Sequence, residues 1–322
     1  MKTGYFLYLK KHNPRVYYYI IRNYLAWRKR LQSDKSFIMK KFRKRFGVFP
    51  DLEHPRKYNE FVTRILMSEP TPLMIRCADK FEVRSYVEEK NCGELLNDLY
   101  GLYDDFDGLF EEWDKLPGQF VIKATHGSSW NYICKDKSSV DLNGLRVLVN
   151  HWLKSNFYHA QREKVYRDIQ PRIICEKYLE DSSGGLTDYK IHCFGGKPAF
   201  LHMAVGRYTD MVYNTYDMRG NFLDVAFFKG RANPEVGLNS QLPLDQLVHY
   251  SRLLSRDFEF VRVDFYFVDN RIIFSELTFT PGNGHFALSE EQDLFFGKYF
   301  STDPITASVT DKPGKEVLPS SG

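Results

Sequence analysis

Apolar residues recur at helical spacing over Tyr58–Met67 and again over residues 141–154, where Leu142, Leu145, Val149, Trp152 and Leu153 share one face. A third helix is expected over residues 80–90, with Asp79 as its N-cap and an end before Gly93, and a fourth over residues 244–254. Elsewhere the period shortens to two. Residues 119–123 and 132–134 read as strands flanking the small-residue loop Ala124-Thr125-His126-Gly127-Ser128-Ser129-Trp130-Asn131, with Leu116-Pro117-Gly118 as a turn before them. Residues 171–180 are an apolar run suited to a buried strand. Residues 188–194 and 198–205 alternate and are joined by Gly195-Gly196, a hairpin signal; Arg207 follows directly. The last alternating pair holds Val261-Arg262-Val263-Asp264 and Ser275-Glu276-Leu277-Thr278, connected by the turn Val268-Asp269-Asn270-Arg271. Asp51-Leu52-Glu53-His54-Pro55 is a turn-rich joint, and the tail from Ser301, with Pro304, Pro313-Gly314 and Pro319, is expected to fray.

Three of these segments carry chemistry. Strands paired through the 268–271 turn set Asp264 and Glu276 side by side on one sheet face, as oxygen donors for a hard cation such as Mg²⁺. The plainer alternative is a hairpin with acids on its wet face. The strand–loop–strand unit around residues 124–131 makes a flap whose backbone N–H groups can lie over phosphates, with Lys123 as a point charge, although most short loops of this type are simple hairpin turns. The strand end Glu176-Lys177-Tyr178-Leu179 can form an adenine slot, its backbone pairing with the base edge while Tyr178 and Leu179 wall it. There is no internal repeat and no low-complexity segment.

Composition sets the limits. With 322 residues, 43% hydrophobic and 16% aromatic, the chain is globular, enough for one large or two ordinary domains. Five cysteines (Cys77, Cys92, Cys134, Cys175, Cys193) include no C-x-x-C pair, so neither a disulfide framework nor a zinc site is indicated. The N-terminal apolar run ends at Arg22, too short for a secretory signal, so the expected location is the cytoplasm.

The net charge of +4 hides a strong asymmetry. Residues 1–50 hold fourteen Lys and Arg against one acid, Asp34, a net of +13, while the remaining residues carry 31 cations and 40 acids, a net of −9. Aromatics are interleaved with the cations (Tyr17-Tyr18-Tyr19, Tyr24, Trp27, then Lys40-Lys41-Phe42-Arg43-Lys44-Arg45-Phe46), as in a helix drawn to an anionic membrane surface at the inner face or to an anionic glycan. A solvated basic helix packed on the rest of the protein is the bland reading, and nucleic acid comes last.

In their order, these parts resemble the ATP-grasp superfamily, and within it the TupA-like family of surface-polysaccharide clusters. The likeness rests on Ala78-Asp79-Lys80 with Arg84, Lys123 with His126-Gly127-Ser128, and Glu176-Lys177-Tyr178-Leu179-Glu180-Asp181 with Thr187-Asp188-Tyr189-Lys190. Glu276-Leu277-Thr278-Phe279-Thr280-Pro281-Gly282 completes it, and the coverage is about residues 51–300. The resemblance implies an α+β fold in which two subdomains clamp ATP: a helical part over 51–115, a lid over 116–180 and a metal-bearing part over 181–300, preceded by the basic helical segment 1–50 and followed by a tail over 301–322. It implies that Lys80, Lys123 and the flap residues His126, Gly127, Ser128 and Ser129 contact phosphates. Glu176, Lys177, Tyr178 and Leu179 would receive adenine, and Asp264, Glu276 and Thr278 would hold Mg²⁺. Thr278 stands where many ATP-grasp ligases have Asn, which leaves the metal count open.

The implied reaction is ATP-dependent amide ligation through an acyl phosphate. Arg262 would meet the transferring phosphoryl group or the oxyanion, with Lys190 and Arg207 as secondary catalytic candidates. His192 and His202 read as structural, and Gly282-Asn283-Gly284-His285 as a substrate loop. By family context the partners are an amine donor and a uronic-acid or peptide-like carboxylate on an anionic, lipid-linked surface glycan. Three competitors remain at this stage. They are a glycosyltransferase using Asp105-Phe106-Asp107, a scaffold without turnover, and a kinase acting on a hydroxyl.

Overall fold

The computed structural model of the protein describes residues 32–181, 185–206, 210–228 and 230–300. Arg207, most of the basic segment (residues 1–31) and the 301–322 tail lie outside the described residues. In chain order the first helices are α1 (Asp34–Phe46), α2 (Tyr58–Met67), α3 (Pro72–Ala78) and α4 (Glu82–Glu89). Next come β1 (Leu99–Tyr103), α5 (Phe106–Glu111), β2 (Phe120–Ala124), β3 (Asn131–Cys134), α6 (Leu142–Leu153), α7 (Tyr158–Gln161) and β4 (Ile173–Lys177). The C-terminal part holds β5 (Asp188–Phe194), β6 (Lys197–Val205), β7 (Val212–Asp217), β8 (Phe222–Leu223), α8 (Leu244–Ser255), β9 (Phe260–Val268), β10 (Arg271–Thr278) and α9 (Glu290–Gly297).

The strands form two antiparallel sheets. The smaller has the order β1-β4-β2-β3, and the larger β10-β9-β5-β6-β7-β8. Beneath the small sheet, Phe106, Leu109, Leu145, Val149 and Trp152 from α5 and α6 pack on Phe120, Ile122 and Cys175. Alternation divides the large sheet in the same way. Tyr189, Ile191, Val261, Val263 and Phe265 enter a core shared with α4 and α8, which leaves Asp188, Lys190, Arg262 and Asp264 on the opposite face.

Two details correct the sequence-based reading. Asp79 caps a helix as expected, but its carboxylate accepts from the N–H groups of Phe81 (2.7 Å) and Glu82 (3.0 Å), so the helix begins at Glu82. Lys80 therefore sits in the tight turn between α3 and α4, not on a helix. The second detail concerns the β9–β10 hairpin. Its turn is the expected one, with Asp269 and Asn270 both left-handed (φ 51° and 59°). A regular ladder from that turn would pair Asp264 with Ser275 and send Glu276 into the core. Instead the register shifts between Phe274 and Glu276, a bulge at Ser275, and Glu276 comes to lie opposite Asp264.

Candidate active site

Between the two sheets lies a cleft of about 400 Å³. The small sheet contributes Lys123 and Glu176, the α3–α4 turn Lys80, the flap Ser128 and Ser129, and the large sheet Asp188, Lys190, Arg262 and Glu276. A second cavity of about 170 Å³ adjoins it through Lys123, Asn131, Asp188 and Tyr266, and is walled by Lys177, Tyr178 and Leu179. Most residues expected from the sequence at the phosphate and adenine ends thus converge, the polar ones around the first cavity and the hinge residues around the second.

Ion pairs hold the floor of the cleft rigid. Asp264 is fully buried and accepts from Arg262 Nε and an Arg262 terminal nitrogen, both at 2.6 Å, and from Lys190 Nζ at 2.7 Å. Lys190 also reaches Asp188, at 2.9 Å. The same Arg262 nitrogen donates to Thr278 Oγ1 (3.0 Å), and that hydroxyl donates to Glu276 Oε1 (3.0 Å). Burial alone would raise the Glu276 carboxyl, but Arg262, Lys190, Lys80 and the Thr278 hydroxyl outweigh it and hold it down at about 2. Burial opposes the charge on Lys190 and Arg262 too, and their carboxylate partners reverse that effect, so both stay cationic. Directly beneath run Tyr58, His192 and His202, linked at 2.8 and 3.1 Å. Burial drives both imidazoles toward the neutral form, so they support Arg262 without repelling it.

The roof is organised around Glu176. Its carboxylate accepts from Lys123 Nζ at 2.6 Å and pairs with Arg84 at 3.5 Å, and Arg84 also donates to the Asn97 carbonyl. Burial disfavours the Lys123 ammonium, yet Glu176 raises its pKa overall; Lys80 is shifted downward, chiefly by burial. The Lys80 ammonium donates to the Gly127 carbonyl and so ties the turn to the flap.

Not every expected residue faces the cleft. His126 is buried, donates to the Trp152 carbonyl at 3.0 Å and stands edge-on to Trp130, so it anchors the flap on α6 and does not cover a ligand. Asp264 is sealed behind Arg262 and Lys190, whereas Glu276 opens into the cleft with 34% of its side chain exposed. Among the described residues there is no trio of His, Cys, Asp or Glu arranged to hold a metal. Glu276, the carboxylate that opens into the cleft, fits Mg²⁺, which takes one or two carboxylates and fills its remaining positions with water and phosphate oxygens, whereas both oxygens of the expected ligand Asp264 are already held by Arg262 and Lys190.

Two participants escaped the sequence-based reading as site residues. Asp188 lines both cavities; the signal was present, since Asp188-x-Lys190 repeats in reverse charge order the Arg262-x-Asp264 spacing of the neighbouring strand. Glu163 had no such signal. It follows Arg162, whose backbone is left-handed (φ 67°), and its carboxylate accepts from Thr280 Oγ1 at 2.9 Å in the loop beyond Glu276. Burial, with a further push from Glu276, raises the Glu163 carboxyl to about 7. Between the ordinary value of 4.5 and about 7 the unfolded chain has released a proton that the folded one keeps, so stability falls as pH rises through that window. Glu163→Gln should therefore be more stable than the wild type at pH 8, by up to about 3 kcal/mol, and nearly equal to it at pH 4.5. Urea unfolding at the two pH values measures this, and a pH-independent difference would refute it.

The two sheets thus close on a cleft lined by lysines and acids. The profile of the family described as TupA-like ATPgrasp matches residues 61–301, and the chain belongs to that family. Among solved structures it is similar to N5-carboxyaminoimidazole ribonucleotide synthetase in its ADP complex, at 15% identity over 66% of this chain and 47% of that one, with a TM-score of 0.44. It is also similar to D-alanine–D-alanine ligase from Helicobacter pylori, at 15% identity over 70% and 60% with a TM-score of 0.40. A third is the ATP-grasp ligase PsnB with Mg, ADP and a precursor variant, at 9% identity over 71% and 60% with a TM-score of 0.40. The chain spans about half to three fifths of the length of these structures. The curated proteins contain no match.

Proposed function

We propose that the protein is an ATP-dependent carboxylate–amine ligase. The observation that carries the reading is the convergence of four cations, Lys80, Lys123, Lys190 and Arg262, with Asp188 and Glu276 in one cleft. A carboxylate is a poor electrophile until one of its oxygens is phosphorylated. The γ-phosphoryl group of ATP passes to a carboxylate oxygen and ADP departs; an amine then attacks the acyl carbon and phosphate leaves. In this scheme Lys80 and Lys123 neutralise phosphate oxygens, Ser128 and Ser129 close over them, and Tyr178 and Leu179 wall the adenine. Glu276, beside Thr278 Oγ1, is the donor for Mg²⁺, which when bound would neutralise phosphate charge, and Asp264 holds Arg262 and Lys190 in place. Arg262, immobilised by Asp264 and Thr278, points its charge at the transferring group, and Lys190 supports it. Glu163, hydrogen-bonded to Thr280, braces the loop that follows Glu276.

For the acceptor we infer a uronic-acid or peptide-like carboxylate on an anionic surface polysaccharide or its lipid-linked precursor, a reading supported by the family's polysaccharide context alone. The Asp105-Phe106-Asp107 alternative loses its basis. Asp105 caps α5 by accepting from Gly108 N–H at 2.8 Å, and Asp107 pairs with Arg146 on α6.

The test is ADP release from Mg·ATP in the presence of glucuronate or galacturonate, with hydroxylamine added to trap the acyl phosphate as a hydroxamate. Carboxylate-dependent ADP together with hydroxamate is expected. Binding of a sugar nucleotide with ATP ignored would overturn the reading.

A further inference from the structure

The interfacial-helix expectation for the basic segment assumes that its apolar stripe is free to meet lipid. In α1 it is not. Ile38 and Phe42 are buried against the body, Phe46 stacks on His285 with centroids 6.2 Å apart, and Lys41 donates to Gln161. At its start Asp34 accepts from Tyr158 at 2.6 Å and pairs with Arg162 at 3.5 Å. The helix is thus clamped beside the loop that follows Glu276, and only its outer side and its end remain available.

That end has an unusual composition. Arg43, Lys44 and Arg45 occupy the last turn and are exposed, and Gly47 (φ 80°) reverses the chain into Val48 and Phe49, which are 59% and 51% exposed. Arg43 stands 4.9 Å from the centre of the Phe49 ring. Lys35 and Lys40 continue the cationic side. The nearby acid Asp51 is engaged in its own turn, accepting from the Glu53 and His54 N–H groups. Two adjacent apolar side chains held in water inside a collar of three cations form a patch that a soluble polyanion leaves half unused. A nucleic acid or free glycan would meet the charges and leave Val48 in water, whereas a lipid surface satisfies both: phosphates meet the cations and the headgroup–acyl boundary accepts the apolar pair.

We propose that the last turn of α1 and the Val48-Phe49 tip dock the protein on an anionic lipid surface. Among the described residues no helix is long and apolar enough to cross a membrane. Because α1 is fixed beside the loop that follows Glu276, docking sets that side of the cleft facing the bilayer. The proposal is independent of the chemistry assigned to the cleft.

Co-sedimentation of the full chain with phosphatidylcholine vesicles, and with vesicles that also contain phosphatidylglycerol, tests it. Wild type should bind the anionic vesicles only, and Arg43→Glu/Lys44→Glu/Arg45→Glu should release it. The deciding variant is Val48→Ser/Phe49→Ser, which keeps every charge and should weaken binding at least about tenfold. Binding of an ATP analogue, unchanged in both variants, shows that they are folded. Equal binding by the serine variant and the wild type would overturn the proposal, and so would wild type that ignores anionic vesicles or binds a soluble polyanion such as heparin with the same dependence on Val48 and Phe49.

Discussion

Arg262→Met should slow carboxylate-dependent ADP formation by roughly 10²–10³-fold, the usual loss when one pre-aimed transition-state donor is removed. The expectation follows from how little freedom the guanidinium has. Two of its nitrogens are taken by Asp264 at 2.6 Å, and the one shared with Thr278 also lies 3.3 Å from Glu276, so its orientation is set before any substrate arrives. Lysine cannot reproduce that fork, and Arg262→Lys should fall most of the way with methionine. The substitution also leaves fully buried Asp264 with Lys190 as its remaining cationic partner, which costs on the order of 3–5 kcal/mol in systems where a buried pair is broken. Rates must therefore be normalised to folded protein by parallel urea unfolding. A folded Met variant within threefold of wild type would remove Arg262 from the mechanism.

Glu276→Gln should separate metal binding from folding. Its carboxylate is held ionised by the surrounding cations and opens into the cleft, so removing its charge should abolish most of the Mg²⁺ dependence of ATP-analogue affinity and cost less stability than losing the charge of fully buried Asp264. We expect a drop of at least about a hundredfold in the Mg²⁺-dependent gain, beyond the 10–100-fold that outer-shell partners typically cost. Asp264→Asn should lose less of that dependence, its oxygens being already held, but should destabilise the protein, because Arg262 and Lys190 then lie buried against a neutral amide. Titrating a non-hydrolysable ATP analogue with and without Mg²⁺ reads both. Retained metal dependence in the glutamine variant would show that the cation is held elsewhere.

Local periodicity and turn chemistry located the β5–β6 and β9–β10 hairpins, the flap strands and the helices Tyr58–Met67 and Leu142–Leu153, because each has a local pattern or turn that marks it; β7 and β8 were not read from the sequence. Short elements whose identity depends on tertiary partners were not visible. β1 pairs with β4 across a bulge near Gly101, and α3 ends where the Asp79 carboxylate takes over the next helix. The same division runs through the site. Residues spaced by two on one strand, such as Arg262 and Asp264, could be read together; Glu163 meets Thr280 across 117 positions, and nothing local announces it. His126 shows the converse failure, since a histidine in a glycine–serine loop gives no hint of whether it faces outward or under the loop.

The bulge at Ser275 has a bearing on how such a site can be gained or lost. Sheet faces alternate with a period of two, so bulging Ser275 out of the ladder or taking it in separates a strand that offers Glu276 to the cleft from one that turns it toward the apolar core. Whether the acid reaches the cleft is thus set by register as much as by residue identity. A single-codon deletion at Ser275 would remove the bulge and leave Glu276 opposite Asp264, whereas drawing Ser275 into the ladder, with no change of sequence, would turn the acid away from the cleft.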